Sequence, residues 1–228
     1  MDDDTRSTTI CRTDATSDLW VWNTMVQRQA MSFDLVVAHY NEDVGWVQKN
    51  RFTKYSPVRI FLYDKGKGKD GIKLLNVGRE AHTYLWHIVN NYDQLADLTA
   101  FLQGNIRDHA PHAIERIHNL HLGSTYQELT SKELIFCASD ASETSASVQK
   151  IYRHVFGTDI DKSRQMKCMC CACFVATRDR ILFHPRDLYE RALELTTQEV
   201  EPGCFKRGPI SCGFERLWHL IFNLKEIP

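Results

Sequence analysis

The stretch VRIFLYDKGKGKDGIKLLNVGRE (residues 58–80) admits two readings, and the choice between them sets the fold. Its GKGKDG segment has the glycine spacing of a dinucleotide-binding fingerprint and follows an apolar run of strand length. That fingerprint works only when a helix starts at its third glycine, so that the first N–H groups of the helix meet a pyrophosphate. Here Gly71 is followed by IKLLN, another short apolar run that reads as a strand, and the helical pattern begins only near Arg79. The lysines between the glycines suit a solvated turn. GKGKDG is therefore expected to be a mobile strand-to-strand turn. The later NVGRE, immediately before a helix, becomes the candidate anion contact.

The rest of the chain continues the pattern. FDLVVAHY (residues 33–40) is an apolar run of strand length, and RIFLYD and IKLLN give the second and third strands. EAHTYLWHIVNNY places Ala81, Tyr84, Leu85, Ile88, Val89 and Tyr92 on one helical face. LTAFLQG reads as a strand and APHAIERIHNLH as a helix with Pro111 in its first turn. ELIFC is a further strand, SDASETSAS a Ser-rich loop, and CCACFVAT the entry to another strand. PRDLYERALELT and FERLWHLIFNL close the chain as helices, separated by a Gly/Pro-bearing loop over 198–213. Strands alternating with helices predict an α/β fold with a mixed, mostly parallel sheet flanked by helices. Residues 1–31 read as a polar tail and 32–228 as one domain, which 228 residues suffice to build.

Bulk properties exclude several functions. With 28 basic and 29 acidic residues the net charge is -1, so no nucleic-acid partner is expected. No apolar run reaches the roughly 20 residues of a membrane span, and the acidic, polar start MDDDTRSTTI is unlike a signal peptide. A soluble, cytoplasmic protein is expected. There the eight cysteines are expected to be mostly reduced thiols instead of a disulfide framework. Cys168, Cys170, Cys171 and Cys173 crowd into CMCCAC, which lacks the C-x-x-C spacing of a zinc knuckle. A zinc-stabilised interaction protein is one reading of that cluster, and a buried strand entry is the other.

In open α/β sheets ligands bind beyond the carboxyl ends of the strands. The polar residues there are Tyr40, Asn41, Glu42 and Asp43; Asp64; Asn76, Gly78 and Arg79; and Gln103, Gly104, Asn105 and Asp108. Carboxylates and amides with Arg79 at a helix start suit a phosphate-bearing ligand such as a nucleotide.

Five blocks, VVAHYNEDVGWV, NVGREAHTYLWHIVNNYDQL, FLQGNIRDHAP, FVATRDRILFHPRDLYERAL and FERLWHLIF, run in order from about residue 33 to 222. In them the chain resembles the small GT-A glycosyltransferase domains of chlorella viruses and a related fungal and microbial family of unknown function. The resemblance implies a GT-A-like (Rossmann-like) domain that transfers a sugar from a nucleotide-sugar donor, UDP-linked, to a hydroxyl of a glycan or glycoprotein acceptor. It sets Tyr40, Asn41 and Glu42 against the base, Asp64 against a uracil N–H, and Asn76, Gly78 and Arg79 near the ribose and diphosphate. FLQGN takes the place of the D-x-D motif that holds Mn²⁺ or Mg²⁺. Here the chain departs from the pattern, since Gln103 and Asn105 stand where two Asp residues are expected, and amide oxygens are poor ligands for a hard dication. A metal beside Asn105 would then need a ligand from Asp108, His109 or His219. A catalytically weak module that binds nucleotide or glycan is the alternative.

Sugar transfer needs a base for the acceptor hydroxyl and positive charge for the departing diphosphate. Glu215 and His219 are four apart in a predicted helix and share a face, while Phe214, Leu217, Trp218 and Ile221 fill the buried side. Glu215 is the expected base, by resemblance to inverting GT-A enzymes with a carboxylate at the start of a late helix. Asp140, after IFCAS, is the reserve.

Overall fold

The computed structural model describes residues 30–68, 71–121, 123–137, 143–163, 165–198 and 209–222. Asp140 and nearly all of the N-terminal segment lie outside them; residues 31–228 form one compact unit. Two buried runs, β1 and β4, and the half-buried β2 make its centre. Strand β1 (Phe33–His39) pairs in parallel with β2 (Val58–Asp64) on one side and β4 (Leu98–Gln103) on the other. A strand covered on both faces is continuously apolar, and β1 is buried at every position. The short β3 (Ile72–Lys73) extends the sheet beside β2, again in parallel.

Beyond β4 the direction reverses. Strand β8 (Phe174–Thr177) runs antiparallel to β4, and β5 (Tyr126–Glu128) runs antiparallel to β8, giving the order β3-β2-β1-β4-β8-β5. The expected mixed, mostly parallel sheet flanked by helices is present. Strands β6 (Glu133–Cys137) and β7 (Gln165–Met169) form a separate antiparallel pair.

The sequence of elements is completed by α1 (Trp46–Lys49), α2 (Arg79–Asn91), α3 (Ile106–His109), α4 (Ala113–His118), α5 (Glu143–Phe156), α6 (Arg178–Leu182), α7 (Arg186–Thr197) and α8 (Pro209–Phe222). One face of the sheet, through Val36, Ala38, Tyr63 and Phe101, packs on α2, α5, α7 and α8; Phe214, Leu217, Trp218 and Ile221 of α8 are buried there as expected. Each such Phe, Leu or Ile contributes about 1.5–3 kcal/mol by leaving water. The other face, through Leu35, Val37, Ala100 and Leu102, packs on Val47, Ile106, Ala113 and Ile117.

The Ser-rich loop expectation is corrected. From Glu143 the chain is helix α5, whose Val148, Ile151, Tyr152 and Val155 are buried at helical spacing. The cysteine run is likewise not one strand: β7 ends at Met169, a 3₁₀ turn spans Cys170–Ala172, and β8 begins at Phe174. Among the described residues no helix is long and apolar enough to cross a membrane.

Candidate functional site

The chain leaves β1 toward β2 and β3 on one side, then returns to place β4 on the other. In open α/β sheets such a reversal marks where ligands bind, here the carboxyl ends of β1 and β4. His39 and Gly104 meet there. A Cβ on Gly104 would lie 2.7 Å from His39 Cβ and 3.1 Å from Glu42 Oε2, so only glycine lets these ends close up. The carboxylate of Glu42 folds back to accept the N–H groups of Tyr40 (2.6 Å) and Asn41 (3.1 Å). Glu42 is thereby committed to shaping the turn, and Tyr40 and Asn41 are left exposed at its tip. Trp46 Nε1 donates to Gly104 O at 2.8 Å.

GKGKDG connects β2 to β3, so the strand-to-strand reading holds and the fingerprint does not. Over its described part the turn is closely packed. Gly66 lies so close to the β1 turn that a Cβ there would come within 1.9 Å of Tyr40 O and 2.8 Å of Asn41 Oδ1. Asp64 is fully buried; its Oδ1 accepts the Gly66 N–H at 2.7 Å, and Oδ2 pairs with the Lys73 ammonium. Burial works to raise its carboxyl, but Lys73 and the Gly66 amide outweigh it and the pKa is lowered. Both oxygens of Asp64 thus hold the turn together, which leaves none facing a ligand.

Lys65, the next residue, is a part that the sequence reading missed. It is 7% exposed, and its ammonium donates to the carbonyls of Val77 and Arg79. Burial pushes its pKa down to about 7 against the pull of Glu80. This tether fixes NVGRE, where Gly78 (φ 56) and Arg79 (φ 48), the first residue of α2, are both left-handed. Gly78 is buried, Asn76 is exposed, and Arg79 is about half exposed, with its Nε 3.7 Å from Glu80 Oε2. Burial raises the Glu80 carboxyl; Arg79 lowers it, and the nearby charge of Glu215 raises it further. Glu80 and Glu215 are therefore electrostatic neighbours. His82 behind them is held neutral, its pKa lowered to about 4 by burial and Lys65. A rule that also took the residue after each strand's last carboxylate would have found Lys65.

On the β4 side, Gln103 Nε2 donates to Cys171 O at 2.8 Å, and Cys171 N–H donates to Glu215 Oε1 at 2.6 Å. Glu215 Oε2 lies 2.9 Å from Arg216 Nη1. One residue of the cysteine turn thus bridges the end of β4 to the first half of α8. The other proposed metal donors do not join this group. Asn105 Nδ2 donates to Asp108 Oδ2 at 2.6 Å on the surface, and His219 is buried one turn along α8. Among the described residues, the three-donor group within metal-binding reach is Cys170, Cys171 and Glu215. Its two sulfurs are joined to each other as a disulfide, which corrects the expectation of reduced thiols at this pair. Cys168 and Cys173 are buried thiols, both pushed up to about 12 by burial.

A hollow lined by both apolar residues (Met31, Leu98, Leu120, Val175) and polar ones (Gln127, Thr177) lies at the opposite, amino end of β4, away from this chemistry. No match was found among curated proteins or among solved structures. One family model matches residues 35–227, nearly the whole described domain, and the chain belongs to that family, described as a protein of unknown function (DUF3431).

Proposed function

We propose that the protein is a GT-A-like glycosyltransferase that moves a sugar from a UDP-linked donor to a glycan hydroxyl with inversion. The observation that carries this reading is the shared anchor of Glu215 and Gln103: both bind the backbone of Cys171 at the carboxyl end of β4. A carboxylate fixed beside the strand ends suits a base that takes the acceptor's proton. The acceptor oxygen would then attack the anomeric carbon as the bond from that carbon to the diphosphate oxygen breaks. The uridine would rest against the exposed Tyr40–Asn41 turn, and Arg79 at the start of α2 would face the diphosphate.

The Mn²⁺ or Mg²⁺ implied by resemblance fits this donor set poorly. The end of β4 offers amides at Gln103 and Asn105, and the nearby carboxylates of Glu42 and Asp108 already accept hydrogen bonds from Tyr40, Asn41 and Asn105. Charge on the leaving group would fall instead to Arg79 and Arg216. A second reading, a nucleotide- or glycan-binding module without turnover, is favoured by one detail: both oxygens of Glu215 are engaged, by Cys171 N–H and by Arg216.

A nucleotide-sugar screen read by thermal shift and by released UDP separates the readings, because ligand binding raises the melting temperature by linkage. Shift with UDP release in the presence of acceptor supports transfer. Shift without release supports the binding module. No shift with any uridine nucleotide refutes both.

A further inference from the structure

The disulfide between Cys170 and Cys171 closes a ring that contains the peptide bond joining the two residues. The N–H of that same peptide is the one donated to Glu215 Oε1. The carbonyl of Cys171 receives both Gln103 Nε2, at 2.8 Å, and the Cys173 thiol, at 3.3 Å. The orientation of the Glu215 donor is thus fixed by a covalent bond that a thiol can open. Cys171 (φ 78) and Ala172 (φ 45) are successive non-glycine residues in the left-handed region, where an L side chain is disfavoured. Opening the ring frees this segment to relax toward ordinary backbone angles, and the N–H turns away from Glu215 as it does.

We propose that Cys170–Cys171 is a redox modification site whose substrate class is a dithiol reductant, and that its state sets whether Glu215 is held at the carboxyl end of β4. A thiolate of the reductant attacks one sulfur of the pair, and the other leaves as a thiolate and is protonated. The second thiolate of the reductant then attacks the reductant's own sulfur in the mixed disulfide, and the remaining protein sulfur leaves as a thiolate and is protonated. Two electrons and two protons pass to the protein, which gains two thiols, while the reductant becomes a disulfide. Cys168 and Cys173 do not divert this exchange. Both are buried, and with pKa values near about 12 they have almost no thiolate at neutral pH to attack their neighbours. The pair itself is not sealed off, since Cys170 and Cys171 retain 8% and 9% of their surface and Glu215 a fifth of its side chain.

The functional consequence, lower transfer in the reduced form, rests on the glycosyltransferase reading; the coupling of the disulfide to Glu215 does not. The test follows the Cys171 amide in the full chain by hydrogen exchange, before and after treatment with dithiothreitol, alongside thiol counting. We expect two additional thiols on reduction and exchange at Cys171 roughly tenfold faster, as expected for a lost local contact. Cys170→Ser should show the fast rate whether or not reductant is present. Equal Cys171 exchange in the oxidised and reduced wild type overturns the coupling. So does a pair that stays fully reduced under oxidised glutathione. If exchange responds while no donor is turned over in either state, the coupling stands and the glycosyltransferase reading fails.

Discussion

GKGKDG and CMCCAC are the two segments of this chain whose composition invites a motif, and the structure uses them in opposite ways. In the first, polar groups close on their own neighbourhood: Asp64 takes Gly66 and Lys73, and the Lys73 ammonium also reaches Gly68 O. In the second, the backbone of one residue reaches out to two other elements, β4 through Gln103 and α8 through Glu215. The glycine segment is a strut and the cysteine segment a coupling. What separates them is where their hydrogen bonds end, and no spacing of glycines or cysteines encodes that.

The contrast breaks most decisively at Glu215. If the cysteine segment positions a base, Glu215→Gln keeps the shape and loses the proton acceptor, and turnover should fall by roughly 10²- to 10⁴-fold with the donor dissociation constant unchanged. Initial rates with a real acceptor measure this, and a parent-like rate would return α8 to a purely structural role. Next in size is the strut. Gly66→Ala forces a Cβ to within 1.9 Å of Tyr40 O, an overpacking that should cost about 1–3 kcal/mol in denaturant unfolding. Gly123→Ala, where no atom lies within 4 Å of a new Cβ, should stay within about 0.5 kcal/mol. Equal effects at the two glycines would mean that the turn is not braced against β1.

A smaller effect tests which glycine-bearing segment meets a nucleotide. Arg79→Ala should weaken UDP binding about tenfold, the loss of one charge-assisted contact, whereas Lys67→Ala on the exposed part of GKGKDG should leave calorimetric affinity unchanged. The reverse pattern would restore the fingerprint reading. The finest test is pH. Lys65 has a folded pKa of about 7 against 10.5 for a free lysine, so between those values the unfolded chain binds the extra proton. Stability should therefore rise with pH from about 7 toward 10, the opposite of a salt-bridged lysine, by at most about 1.4 kcal/mol per pH unit. The neutral amine still has N–H donors for Val77 O and Arg79 O. Lys65→Met should flatten that limb of the curve; an unchanged slope would show that Lys65 is charged in the fold.

The parallel half of the sheet was legible because strands buried on both faces leave unbroken apolar runs such as LVVA in β1. Strand β7 was missed for the opposite reason: in QMKCM only Met166 and Cys168 turn inward, and the alternation is two residues deep. Helix α5 hid behind its own start, since ETSAS reads as a loop until Val148, Ile151, Tyr152 and Val155 are taken together. The strand-end residues of the candidate site were named by the rule that ligands bind beyond the carboxyl ends of strands. Asp64 was among them, but its burial and its ion pair with Lys73 could not be read from DKGKGK. Lys65 and Glu80 were missed because long-range burial, and not local sequence, makes a charged side chain special. Cys171 was missed as a bridge because its contribution is made entirely by backbone atoms, which every residue has.

Strand β8 bears on how the chain is born. It lies between β4 and β5, antiparallel to both, and among the described residues β5 pairs with no other strand. Synthesis delivers Tyr126–Glu128 well before Phe174–Thr177. A nascent chain can therefore zip β1, β2 and β4 together while β5 still waits. Its pairing must await β8, which follows the cysteine turn, and the closing of a long loop delays such non-local contacts. The last seam of the sheet to form is thus the one next to the segment that grips Glu215. A ribosome stalled before residue 174 would carry a half-sheet with β1 and β4 in place and α8, which carries Glu215, still missing.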